Sequence, residues 1–168
     1  MLITKLAAAA AAITVALSTA AAANTYEQYG EIEGWKVFIN AEKKSCLIEA
    51  VDSAENVVQM GLTEDRGVGY LGVFTKAETS IKKGSTEGVA ILIGENLYVG
   101  EATGMRGNIT EGYSGGYVTS DNPMFVKDIE QQYEMIVFPE SKYSFVVDLT
   151  GTKKAIAMAR ECNAAQMN

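Results

Sequence analysis

The sequence predicts a mainly β domain: an antiparallel β-sandwich or open barrel with two late helices packed on it. Three features of the 168-residue chain lead there. From Trp35 onward, short runs rich in Val, Ile, Phe and Tyr recur with a period of two, which is the spacing of a half-buried strand. Hairpin-length polar or glycine-bearing segments link most of these runs. Helical four-residue spacing begins only after Asp121-Asn122-Pro123, so no helix separates the first six strands and a βαβ sheet is disfavoured.

In chain order, Trp35 to Ile39 alternates and leads through the polar turn Ala41 to Ser45 into Cys46 to Val51, a first hairpin. Val57 to Leu62 and Val68 to Phe74 flank the charged loop Thr63-Glu64-Asp65-Arg66-Gly67, a second hairpin. After the polar stretch Thr75 to Gly88, Val89 to Ile93 and Leu97 to Glu101 surround a Gly94-Glu95-Asn96 loop, a third hairpin. Gly104 to Ser120 is glycine-rich and fits either a bulged strand or a long loop. An Asp or Asn N-cap followed by proline then opens a helix over Pro123 to Tyr133, with Phe125, Ile129 and Tyr133 on one face. Met135 to Phe138 and Tyr143 to Leu149 return to strand character. Thr152 is placed to cap a last helix whose Ala155, Ile156, Ala159 and Cys162 share a face. Phe38, Phe74, Phe125 and Phe145 are expected in the core, with Trp35 as a core or edge anchor.

Met1 to Ala23 carries Lys5, an Ala-rich apolar run from Leu6 to Leu17, and the small residues Ala21-Ala22-Ala23. This is the layout of a secretory signal peptide cleaved after Ala23. The competing reading, a membrane anchor, is disfavoured because the apolar run is about a dozen residues against the roughly 20 needed to span a bilayer. Residues 24–168 are then one β-rich domain of roughly eight strands, periplasmic or secreted, with no transmembrane segment after cleavage. The sequence holds no histidine, which excludes a Ser-His-Asp or Cys-His triad, an imidazole base and His-ligated zinc or haem. With 14 basic and 21 acidic side chains and a pI near 4.7, the chain is a poor fit to nucleic acid or an anionic bilayer. It suits a cationic protein or envelope partner, although solubility alone accounts for the charge.

Cys46 and Cys162 are the only cysteines, and an exported chain meets an oxidising environment. Only one intrachain pairing exists, and closing a loop of that length is worth about 4–5 kcal/mol in the chain-entropy model. The alternative, a redox pair, has neither a Cys-x-x-Cys spacing nor an activated lone thiol to support it.

Gly34-Trp35-Lys36-Val37-Phe38 followed by Cys46, together with the run Ser144 to Ile156 leading to Cys162, resembles the invasion-associated locus B family. These are small exported proteins of alphaproteobacteria. The shared layout is a Trp-led strand, a cysteine soon after it, an apolar strand ending in Leu-x-Gly, and an Ala-bearing helix ending in cysteine. The resemblance implies a β-rich envelope protein, not known to be an enzyme, in which Trp35, Cys46, Gly151 and Cys162 are structural.

No cofactor or metal site is expected. Glu64-Asp65 lacks the calcium-loop pattern and reads as a solvated turn. Gly84-Ser85 after Lys82-Lys83 lacks a phosphate-binding loop motif. Ser80 with Lys83 has the Ser-x-x-Lys spacing of a serine–lysine hydrolase without its companion motifs, which leaves a small His-free hydrolase as a second alternative. Asn108-Ile109-Thr110 fits a glycosylation sequon that a bacterial origin leaves unused. Tyr113-Ser114-Gly115-Gly116-Tyr117 is the sharpest candidate for partner binding. Its Ser-Gly-x-Tyr core is similar to the loop that some periplasmic lysozyme inhibitors insert into the enzyme's cleft, so Tyr113, Ser114 and Tyr117 define an inhibitor alternative. The main expectation is an exported, non-enzymatic binding or envelope-associated protein.

Overall fold

A computed structural model describes residues 26–62, 68–76, 82, 84–106, 113–139 and 144–167. The Met1–Ala23 leader, the Glu64-Asp65 loop, Ser80 with Lys83, and the Asn108 sequon lie outside these residues.

The strands are β1 (Tyr26–Ile32), β2 (Trp35–Asn40), β3 (Ser45–Val51), β4 (Val57–Leu62), β5 (Gly69–Thr75), β6 (Thr86–Ile93), β7 (Asn96–Arg106), β8 (Ser114–Ser120), β9 (Glu134–Val137) and β10 (Phe145–Asp148). Helix α1 (Pro123–Gln131) separates β8 from β9, and α2 (Thr152–Ala165) follows β10. All ten strands belong to one antiparallel sheet in the order β1-β2-β3-β4-β5-β8-β7-β6-β9-β10. The chain builds the first five as a meander. It then steps out to the β6–β7 hairpin, returns to fit β8 between β5 and β7, and crosses through α1 to the far side of β6.

Local chemistry sets these elements. Glu33 and Gly34, with φ of 49° and 82°, join β1 to β2 with Ile32 opposite Trp35. Two positive φ values at the turn centre match the twist of a tight hairpin. Asp52 organises the β3–β4 turn by accepting the backbone N–H groups of Ala54 and Asn56, both at 2.8 Å. Asn122 caps α1 by accepting the Met124 N–H at 2.9 Å, with Pro123 in the first turn.

The sheet curls until the two ends of its strand order meet. Trp35 of β2 donates its indole N–H to Thr150 O, just past β10, at 2.8 Å. Lys154 of α2 pairs with Glu33. Cys46 of β3 and Cys162 of α2 stand at disulfide distance, their Cα atoms 6.1 Å apart, and are bridged. Asn163 fastens the same contact: its Oδ1 accepts the Cys46 N–H at 2.9 Å while its Nδ2 donates to Ala159 O. The core lies inside the curl and contains Trp35, Val37, Ile48, Leu71, Ile91, Ile93, Phe125, Met135, Val147, Leu149 and Ala155.

Four details differ from expectation. β1 forms although its polar sequence carries no apolar alternation, because β2 supplies its partner. Tyr133 falls outside α1 and is exposed. Gly151, at φ 86°, occupies the N-cap of α2 without a side-chain cap. Thr152 instead sits inside the helix, its hydroxyl 2.7 Å from Leu149 O and 2.9 Å from Ile129 O and able to donate to either. Phe74 is buried and Phe38 half-buried, but their strand register puts both on the face away from the main core.

Replacing Cys46 and Cys162 together with alanine is expected to lower the unfolding free energy by about 2–5 kcal/mol in denaturant titration. Trp35→Phe, which deletes the donor to Thr150 and leaves a cavity at a buried site, is expected to cost about 2–3 kcal/mol. Unchanged midpoints for both would contradict the closure described above.

Candidate functional site

Strand alternation sorts every side chain of the sheet onto the core face or the outer face. On the outer face, β4, β5 and β8 bring together Gln59, Gly61, Tyr70, Gly72, Phe74 and Tyr117. Tyr117 packs edge-on to Tyr70 and Phe74, with ring centroids 5.4 and 5.0 Å apart. The rings need the glycines: a Cβ on Gly61 would lie 2.6 Å from the Tyr70 hydroxyl, and one on Gly72 would run into the Tyr117 ring. Tyr117 Oη donates to Gln59 Oε1 at 2.7 Å, and Gln59 Nε2 donates to Glu49 Oε2 at 2.6 Å. Burial pushes both the Tyr70 and Tyr117 phenols well above the usual tyrosine range.

Of the three sequence candidates, Tyr117 belongs to this cluster. Tyr113 lies just before β8, donates its hydroxyl to Glu55 O at 3.1 Å, and has Lys76 Nζ 5.3 Å from its ring centroid. Ser114 is the first residue of β8 and is buried. It lies opposite Thr75 while Tyr117 lies opposite Gly72, in unbroken register. Three residues apart in a strand, Ser114 and Tyr117 therefore point to opposite faces. The segment from Ser114 is paired strand, flanked by β5 and β7, and not a protruding loop.

The core face holds a polar group that sequence reading missed. Asp128 of α1 is buried, and its Oδ2 accepts from Asn96 Nδ2 at 2.7 Å and Tyr98 Oη at 2.6 Å. Tyr98 also packs edge-on to Phe125 with centroids 5.0 Å apart. Together these contacts pin α1 to β7. The Tyr98 phenol is pushed up to about 12, first by desolvation and then by its bond to and repulsion from Asp128. Position 128 shares the helix face of Phe125 and Ile129, and a charged residue inside an apolar stripe is the signal that could have found it.

The other half of the outer face is different. Leu97 of β7, Leu92 of β6, Ile136 of β9 and Val146 of β10 are consecutive register partners, forming one apolar row across four strands. Leu97 is 58% exposed and Val146 53%, and Val99, one pleat along, is 77% exposed. A groove of about 580 Å³ opens beside Leu97 and Val99 and runs to Asp121 and Phe125. A second, of about 340 Å³, lies between the end of α1 and the start of α2, where Glu130 pairs with Arg160 at 2.6 Å. Among the described residues, no group of three or more His, Cys, Asp or Glu is placed to hold a metal ion, and no helix is long and apolar enough to cross a membrane.

No family model and no curated protein matches the chain. Among solved structures, it is similar to the crystal structure of invasion associated protein B from Bartonella henselae, at 14% identity and a TM-score of 0.49, over 84% of this chain and 97% of that one.

The fold keeps Tyr98 protonated above the ordinary value of 10.0, whereas the unfolded chain ionises there. Unfolding free energy should therefore fall as pH rises from 10 towards 12. Tyr98→Phe should flatten that fall in denaturant titrations, and an unaltered slope would contradict the assignment. Gly115→Ala places a Cβ against the backbone carbonyl of Val73 and is expected to cost about 1–3 kcal/mol. Gly88→Ala meets nothing within 4 Å and should be neutral or stabilising by up to about 1 kcal/mol.

Proposed function

We propose that this is an exported protein that acts by binding at the cell envelope, without catalysis. The observation that carries the reading is the apolar row Leu97, Leu92, Ile136 and Val146, half-buried at its centre and exposed at both ends, with its exposed neighbour Val99. Isolated exposed apolar residues are ordinary on a protein surface. A contiguous row in register is not, and such patches mark interaction sites. Four neighbouring strands presenting one apolar row give contact area without requiring any reactive side chain.

Export is supported by the Ala-rich leader ending at Ala23 and by the bridge between Cys46 and Cys162, a feature that persists outside the reducing cytosol. The resemblance to invasion-associated locus B proteins at Trp35, Cys46, Gly151 and Cys162 agrees with an envelope role. In this reading all four residues hold the sheet closed and none touches the partner.

Protein recovered from its native compartment is expected to begin at Asn24 and to show no free thiol by mass spectrometry. The pure protein is expected to turn over no peptidoglycan, ester or phosphate substrate. An intact Met1 in cytosolic material with two free thiols, or turnover abolished by a single substitution, overturns the reading.

A further inference from the structure

Resting on the reading of this chain as a binding protein, we propose that the outer face of β7, β6, β9 and β10 docks a cationic amphipathic polypeptide. Its apolar side would lie on the Leu97–Leu92–Ile136–Val146 row, and its lysines or arginines would meet the carboxylates that frame that row. The charge pattern of these strands chooses the partner. On the same outer face, Glu101 of β7 stands two residues beyond Val99, while Glu134 of β9 and Asp148 of β10 are register partners beside Ile136 and Val146. All three are exposed. Asp148 is held below the usual carboxylate range by hydrogen bonding to Thr150, so it remains charged across the neutral range.

No cation answers these acids from their own strands. β6, β9 and β10 contain no lysine or arginine, and in β7 the one basic residue is Arg106 at its far end. Elsewhere among the described residues, carboxylates do find cations: Glu33 pairs with Lys154, Glu55 with Lys76, and Glu130 with Arg160. An apolar strip with an anionic frame repels anionic lipid and anionic protein, whereas it attracts a chain carrying apolar residues and positive charge together. The neighbouring groove extends the same character, with Leu97 and Val99 at one end and Asp121 at the other. β10 is also the last strand of the order among the described residues, so an extended partner lying on this face has strand backbone beside it.

The test uses the purified, oxidised chain and a fluorescent peptide of alternating leucine and lysine. Saturable binding is expected, weakening as salt rises. Leu97→Ser with Val146→Ser, and separately Glu101→Gln with Glu134→Gln, should each weaken it about fivefold to tenfold. Peptides with serine in place of leucine, or glutamate in place of lysine, should not bind. The glutamine pair alters only exposed carboxylates, so it decides the matter even if the serine pair does not fold. No binding of the alternating peptide, or binding indifferent to the glutamine pair, overturns the proposal. Self-association of the free chain that Leu97→Ser with Val146→Ser abolishes would assign the row to a second copy and also overturn it. Either failure leaves export and the absence of catalysis standing, because those are read from the N-terminus, the thiols and turnover.

Discussion

The docking of α2 across the start of the sheet is the constraint on which the remaining structure depends. A curled antiparallel sheet has two problems: its ends must meet, and its interior must be filled. Here the strand ladder never closes, and α2 does both jobs. Ala155 and Cys162 enter the core, the bridge to Cys46 fixes the helix on β3, and Trp35 reaches Thr150 to seal the other side. Gly151 makes the approach feasible, since a Cβ there would lie 2.8 Å from Glu33 Cβ and 3.0 Å from Glu33 O. Its positive φ also turns the chain from β10 into the helix. For a domain of this size, a covalent tie between residues 116 apart offsets part of the chain entropy that its core must otherwise oppose.

With the ends closed, the two halves of the outer face become free to differ. Over β4, β5 and β8, aromatic rings lie flat on glycines, and the Tyr117–Gln59–Glu49 chain satisfies the polar groups beneath them. That half is finished as a surface. Over β7, β6, β9 and β10, aliphatic side chains stand in register, half-buried at Leu92 and Ile136 and exposed at Leu97, Val99 and Val146. The core face of β7 is anchored from within by Asp128, which binds α1 to Tyr98 and Asn96. A rigid backing behind an exposed apolar strip is what a docking surface needs, because little order has to be gained on binding.

Much of the fold was legible in the sequence because it follows from local rules. Alternation located β2 to β7, β9 and β10, and Asn122-Pro123 located the start of α1. The parts that were not legible depend on partners distant in sequence. β1 reads as polar and is a strand only because β2 pairs with it. Residues 104–120 were ambiguous because glycine carries little propensity, and β8 is settled by fitting between β5 and β7. Tyr113, Ser114 and Tyr117 looked like one motif because they are near in sequence, yet the pleat sends Ser114 and Tyr117 to opposite faces. The apolar row draws one residue from each of four strands, so no window of sequence displays it. Asp128 was hidden for the same reason: its partners, Asn96 and Tyr98, lie 32 and 30 residues away.

Amide hydrogen exchange of the oxidised and the reduced protein tests the closure most directly. If α2 is the clasp, reduction should strip protection together from α2, from β1 to β3 and from the β9–β10 edge, while β4, β5, β8 and β7 keep theirs. Loss confined to the last turn of α2, with β1 to β3 and β10 as protected as before, would contradict it.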